Sequence, residues 1–136
     1  MKNLSETDKA YLAGLVDGEG HIGISLSSKG HFNGRVKINM TDKPTMEWCV
    51  ETTGVGYLEL VKPQGDFKHR HKISYKWRLG RDLGGQLLLQ LLPYLKTKRK
   101  QAESFLEFIE ICKERRGKER SERKMVLYNT MKVLNS

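Results

Sequence analysis

Asp17 and Glu19 stand two residues apart near the end of the stretch YLAGLVDGEGHIGI (residues 11–24), where the spacing predicts that a helix finishes. Carboxylates are poorly placed at a helix C-terminus, whose macrodipole is already negative. Gly14 and Gly18, one turn apart in the same helix, each cost about 1 kcal/mol relative to alanine. Both choices make physical sense if this helix meets another at close range and something positive sits at its end. Far along the chain, the run Lys96-Thr97-Lys98-Arg99-Lys100 follows Pro93 and supplies a dense block of cations.

The elements that must position these groups follow from periodicity. Ser5 is placed to cap a helix beginning near Glu6, with Asp8 three residues on and Leu4 just before it, and the helix runs to about Gly18. HIGISLSS then alternates, with Ile22, Ile24 and Leu26 on one face and Gly23, Ser25 and Ser27 on the other. After SKGHFNG, the segment RVKINMT sets Val36, Ile38 and Met40 against Arg35, Lys37, Asn39 and Thr41. Asp42 or Thr41 caps a short helix with Pro44 in its first turn and Gly54 at its end. GYLELV and KISYKWRL form a second hairpin around the polar loop PQGDFKHRH. Leu83 to Leu92 is leucine-dense, the next helix is spaced through Ala102, Phe105, Leu106, Ile109 and Cys112, and a last one through Met125, Leu127, Tyr128, Met131 and Leu134. The expected fold is α/β: one domain over residues 1–136, a four-stranded antiparallel sheet with helices on one face.

Such a sheet leaves its other face to solvent or to a partner. The expected residues there are Ser25, Ser27, Lys29, Asn33, Arg35, Lys37, Asn39, Thr41, Ser74, Lys76 and Arg78. Cationic, amide and hydroxyl side chains suit phosphates and base edges. Five of the eleven are Lys or Arg, and in this register Glu59 is the only acid that shares the face with them. The whole chain of 136 residues carries a formal charge of +9, which favours a polyanionic partner, nucleic acid first. No apolar run approaches a membrane span, and the charged start MKNLSETDK lacks a signal-peptide core, so an intracellular, non-secreted protein is expected.

Other chemistries find little support. Cys49 and Cys112 lack CxxC spacing and read as free thiols in a reducing compartment. His21, His31, His69 and His71 lack tetrahedral metal spacing and fall on loops or strand edges, where nucleic-acid contact or solvent exposure is expected. No Walker loop, nucleophile elbow or zinc knuckle is present.

Residues Leu12 to Gly20, LAGLVDGEG, resemble the nine-residue signature of the LAGLIDADG homing endonucleases, with Val16, Gly18 and Glu19 as conservative departures. HIGI is similar to the family's first strand, and LPYLKTKRKQA (Leu92 to Ala102) to its second recurring segment. The resemblance implies an αββαββα fold with a saddle-shaped sheet and additional C-terminal helices. It also implies that two motif helices pack together; one copy per chain then means a homodimer, with Ala10, Gly14 and Gly18 as a small-residue ridge and Ala13 beside it. Two Glu19 side chains would meet at the foot of the helix pair, clustered anions that need Mg²⁺ or another divalent cation between them. Such metals polarise the scissile phosphates, supply hydroxide and stabilise the leaving oxygen. Lys98 matches the family's active-site lysine and Lys96 is a weaker second; Asp17 caps or braces the helix junction rather than binding metal; Asp42 falls where relatives place a polar active-site residue. Met46 stands where some relatives have arginine, and the second helix is about a turn short of theirs.

The implied function is Mg²⁺-dependent cleavage of double-stranded DNA at a long near-palindromic site. A strand of eight or nine residues spans about 30 Å, some nine base pairs, so two half-saddles cover on the order of 20 base pairs. The rivals are an RNA maturase acting on its host intron, a DNA reader that has lost cleavage, and a basic domain that binds nucleic acid without sequence preference.

Overall fold

The computed structural model describes residues 1–63 and 72–136. His69, His71 and nearly all of the polar loop 63–71 lie outside the described residues. Helix α1 (Glu6–Glu19) starts at Ser5, whose Oγ accepts from the Asp8 N–H at 3.2 Å, and Leu4 is buried beneath it. The helix runs one residue beyond the expected Gly18 and passes directly into strand β1 (Gly20–Leu26). At that junction the Gly20 N–H donates to the Val16 carbonyl. A Cβ on residue 20 would stand 2.7 Å from the Val16 oxygen and 2.8 Å from its Cα. Both are backbone atoms that cannot step aside. Gly20→Ala is therefore expected to cost about 1–3 kcal/mol, read as a melting temperature lowered by about 4 °C per kcal/mol.

Strand β2 (Phe32–Met40) pairs antiparallel with β1, bringing Lys37 opposite His21, Arg35 opposite Gly23 and Asn33 opposite Ser25. Helix α2 (Lys43–Thr53) begins at its cap Asp42, with Pro44 in the first turn, and stops at Gly54, whose φ of +72° is the left-handed conformation that glycine enters without strain. Strands β3 (Tyr57–Val61) and β4 (Ser74–Leu79) complete one open antiparallel sheet in the order β1-β2-β4-β3. Helix α3 (Arg81–Leu91), a 3-10 turn (Leu92–Tyr94), α4 (Arg99–Cys112) and α5 (Lys118–Leu134) follow. This is the expected α/β architecture, αββαββα with further C-terminal helices. β2 reaches the expected nine residues, while β1, β4 and β3 have seven, six and five.

The core lies on one side of the sheet. Ile22, Ile24, Val36, Ile38, Trp77 and Leu79 turn inward against Leu12 and Val16 of α1, Leu87 and Leu88 of α3, and Phe105 and Phe108 of α4. Two helix faces differ from expectation. On α4 the buried residues are Gln101, Ala102, Phe105, Phe108 and Ile111, with Leu106, Ile109 and Cys112 only partly covered, because α4 packs between α3 and α5 and its buried arc turns toward both. On α5, Leu127 and Met131 carry the packing while Met125 is 39% exposed. That helix lies along the edge strand, its Asn135 cap donating to the Ile22 carbonyl at 2.9 Å. Among the described residues no helix is long and apolar enough to cross a membrane. Both cysteines are free; burial pushes the Cys49 thiol up to about 12, so it is inert.

Candidate functional site

The two oddities of α1 have separate answers. Asp17 faces the segment before α4: one carboxylate oxygen accepts from the Lys96 N–H and the other from the Lys98 N–H, each at 2.9 Å. Lys98 reaches back, its Nζ donating to the Asp17 carbonyl at 2.7 Å. That carbonyl belongs to the last turn of α1, where intrahelical donors have run out. The positive group at the helix end is thus Lys98, and Asp17 braces the junction as its position suggests. Replacing Asp17 by Ala strands two N–H groups and is expected to cost about 1–2 kcal/mol in thermal unfolding. Asn keeps one acceptor oxygen and should lose less.

Glu19 is the acid left over. It is exposed at the foot of α1, with no hydrogen bond or ion pair among the described residues. Within one copy the described residues nowhere gather three His, Cys, Asp or Glu side chains around a common point. Asp42 is already occupied as a helix cap: its Oδ2 accepts from the Thr45 N–H at 3.2 Å and from the Thr45 hydroxyl at 2.5 Å. Met46 is fully buried in the core.

The glycines of α1 answer to nothing inside the chain. A Cβ at Gly14 or Gly18 would find no atom within 4 Å, and both are exposed together with Thr7, Ala10 and Tyr11 along one face. Tyr11 packs edge-on against Trp48, ring centres 5.0 Å apart, yet remains 53% exposed. Ala13 corrects the expected ridge: it is wholly buried against its own core and cannot face a partner, because it lies about 100° around the helix from Gly14.

On the sheet's open face stand Ser25 from β1, Asn33, Arg35, Lys37 and Asn39 from β2, and Ser74, Lys76 and Arg78 from β4, in keeping with the alternation. Three other expected members are not on strands. Thr41 falls just past β2; Ser27 and Lys29 belong to the turn between β1 and β2, where the Ser27 Oγ accepts from the His31 N–H at 3.1 Å. The turn takes them because β1 stops at Leu26. Arg78 is engaged by Glu59 at 3.2 Å and lies over the Tyr57 ring. His21, expected at a loop or strand edge in contact with nucleic acid or solvent, joins this face: its parity with Gly23 and Ser25 puts it opposite Lys37. Burial, with Lys37 and Lys98 nearby, pushes its pKa down and favours the neutral ring.

The geometry is therefore a cationic sheet face that begins beside an unpaired carboxylate, under a helix with an unfilled glycine stripe. Among solved structures, the chain matches homing endonuclease I-CvuI in complex with its target in the presence of Ca, with a TM-score of 0.78 and 19% identity over 94% of this chain and 82% of that one. It matches the archaeal intron-encoded homing endonuclease I-Vdi141I complexed with DNA at 0.75 and 14%, covering 96% and 86% of the two chains. It matches LAGLIDADG meganuclease I-AabMI bound to uncleaved DNA at 0.65 and 21%, covering 88% of this chain and 43% of that one. The chain has the LAGLIDADG homing endonuclease fold. No protein-family model and no curated protein matches it. In this LAGLIDADG fold the motif LAGLVDGEG spans the last two turns of α1 and the first residue of β1.

Proposed function

We propose that the protein is a homodimeric, divalent-metal-dependent endonuclease that cleaves double-stranded DNA at one long, near-palindromic site. The observation that carries this reading is the exposed Glu19 at the junction of α1 with a cation-bearing sheet face, in a fold whose solved examples hold DNA targets. The unfilled Gly14 and Gly18 stripe supports pairing of two α1 helices at close range. Coverage of only 43% of the I-AabMI chain is in keeping with two such units making one saddle.

Twofold pairing brings two Glu19 carboxylates together. Hard oxygen donors with no other partner suit Mg²⁺ or a similar ion, whereas the described residues of one copy offer no such set. If bound there by the two Glu19 carboxylates, such an ion would supply Lewis-acid chemistry at the phosphate and lower the pKa of the attacking water. The remaining work belongs to the chain. Asp17 holds the Lys96 to Lys98 segment against α1, and Lys98 sets a positive charge beside the scissile phosphate and orders its water. Asp42 borders the site through the oxygen not used in its cap. Ser25, Asn33, Arg35, Lys37, Asn39, Ser74, Lys76 and Arg78 meet the groove, while Ser27, Lys29 and Thr41 reach the backbone from the sheet's margins.

Cleavage selection on a randomised duplex library with Mg²⁺ tests the proposal. Enrichment of one near-palindrome of about 20 base pairs is expected. Specific binding without cleavage would mark a non-cleaving reader, preference for structured RNA would mark a maturase, and uniform affinity would mark a nonspecific basic domain.

A further inference from the structure

Within the sheet's open face, one row is hollow. Gly23 on β1 stands directly opposite Arg35 on β2 and offers no side chain. The result is a depression of about 190 Å³ bounded by His21, Gly23, Ser25, Arg35 and Lys37. His21 folds along its own strand over this gap: a Cβ on residue 23 would lie 2.6 Å from the His21 Nε2. The two arginines of the face differ in availability. Arg78 is tied to Glu59 and stacked on Tyr57; Arg35 is exposed and has no carboxylate partner among the described residues.

We propose that Arg35, which lines the depression beside Gly23, reads a guanine in each half of the target, an assignment that rests on the DNA-cleaving function above. A guanidinium presents two parallel N–H donors, which match the paired O6 and N7 acceptors that only guanine shows in the major groove. Its surroundings agree. Lys37, two residues along the same strand, adds donors, and among the described residues no carboxylate lines the depression to favour cytosine. Residue 23 adds no side chain of its own, so only the tip of the His21 imidazole stands between a base edge and the strand there. Gly23 lies three residues from Gly20, about 10 Å along the strand. The guanine should therefore fall about three base pairs outward from the pair that lies over the start of β1.

The test is the same randomised duplex selection, run on wild type, Arg35→Gln and Gly23→Ala. Wild type should enrich guanine at one symmetry-related pair of positions, with discrimination of about 5- to 150-fold. Arg35→Gln should convert those two positions to adenine, since an amide pairs with N6 and N7, and leave the rest of the site unchanged. Gly23→Ala displaces only an imidazole tip and should fold normally while losing discrimination at the same two positions. A near-palindromic site whose every position persists in Arg35→Gln would overturn this assignment and leave the nuclease reading standing. So would uniform weakening across all sequences, which marks a phosphate contact. Absence of any enriched sequence in wild type would overturn both.

Discussion

Glu19→Gln is expected to abolish Mg²⁺-dependent cleavage while target affinity in metal-free buffer stays the same or rises. The substitution keeps the shape of the side chain and removes its charge. Glu19 has no hydrogen bond or ion pair to lose among the described residues, so the fold should not notice the change. Without metal, the carboxylate repels phosphate; removing it relieves that repulsion. Binding and cleavage separate in this way when metal chemistry and sequence reading use different groups. Lys98→Ala should slow cleavage less completely, and it also exposes the Asp17 carbonyl that Lys98 Nζ now satisfies. Gel shift and plasmid cleavage on the same preparations measure both quantities. Wild-type cleavage by the Gln variant would overturn the mechanism; joint loss of binding and cleavage would show that Glu19 serves the fold.

Gly14→Leu should turn the proposed dimer into a folded monomer. No atom of the described residues lies within 4 Å of a Cβ at residue 14, so the isolated protomer has room for the new side chain. Helix propensity even favours it, by about 1 kcal/mol. Against a second α1 the same side chain would force the axes apart by several ångströms, since close crossing relies on small residues at the contact. Sedimentation should report half the wild-type mass with the far-ultraviolet circular dichroism unchanged, and cleavage should vanish with the dimer. An unchanged dimer would sink the glycine stripe as the interface.

Much of this is legible in the chain because its local rules agree with one another. Ser5, Asp42 and Gly54 are caps by residue type and position, and all three cap. The alternation in β1 and β2 assigns inward and outward faces because one face is buried, so a slip of one residue would invert every side chain. Glycines that weaken a lone helix betray a face that the protomer leaves unfilled. What sequence could not resolve depends on contacts between distant segments. That Asp17 holds the Lys96 and Lys98 amides is a contact across about 80 residues. The burial of Ala13 depends on which side of α1 meets the core, and small residues on two adjoining faces look alike in sequence. Arg78 can be placed on the open face by parity, yet its engagement by Glu59 depends on the β3 and β4 register, which no local pattern specifies. His21 is the exception: its parity with Gly23 and Ser25 is a local signal that sets it on the open face.

The central claim is that one chain carries half of a site and that a second copy completes it. It is tested most directly by comparing cleavage of two duplexes in Mg²⁺: one carrying the full selected palindrome, the other a single half-site with scrambled sequence beyond the centre. The full site should be cut on both strands by a complex of two chains, while the half-site should be bound weakly and stay uncut. Equal cleavage of the half-site duplex by a single chain would contradict it.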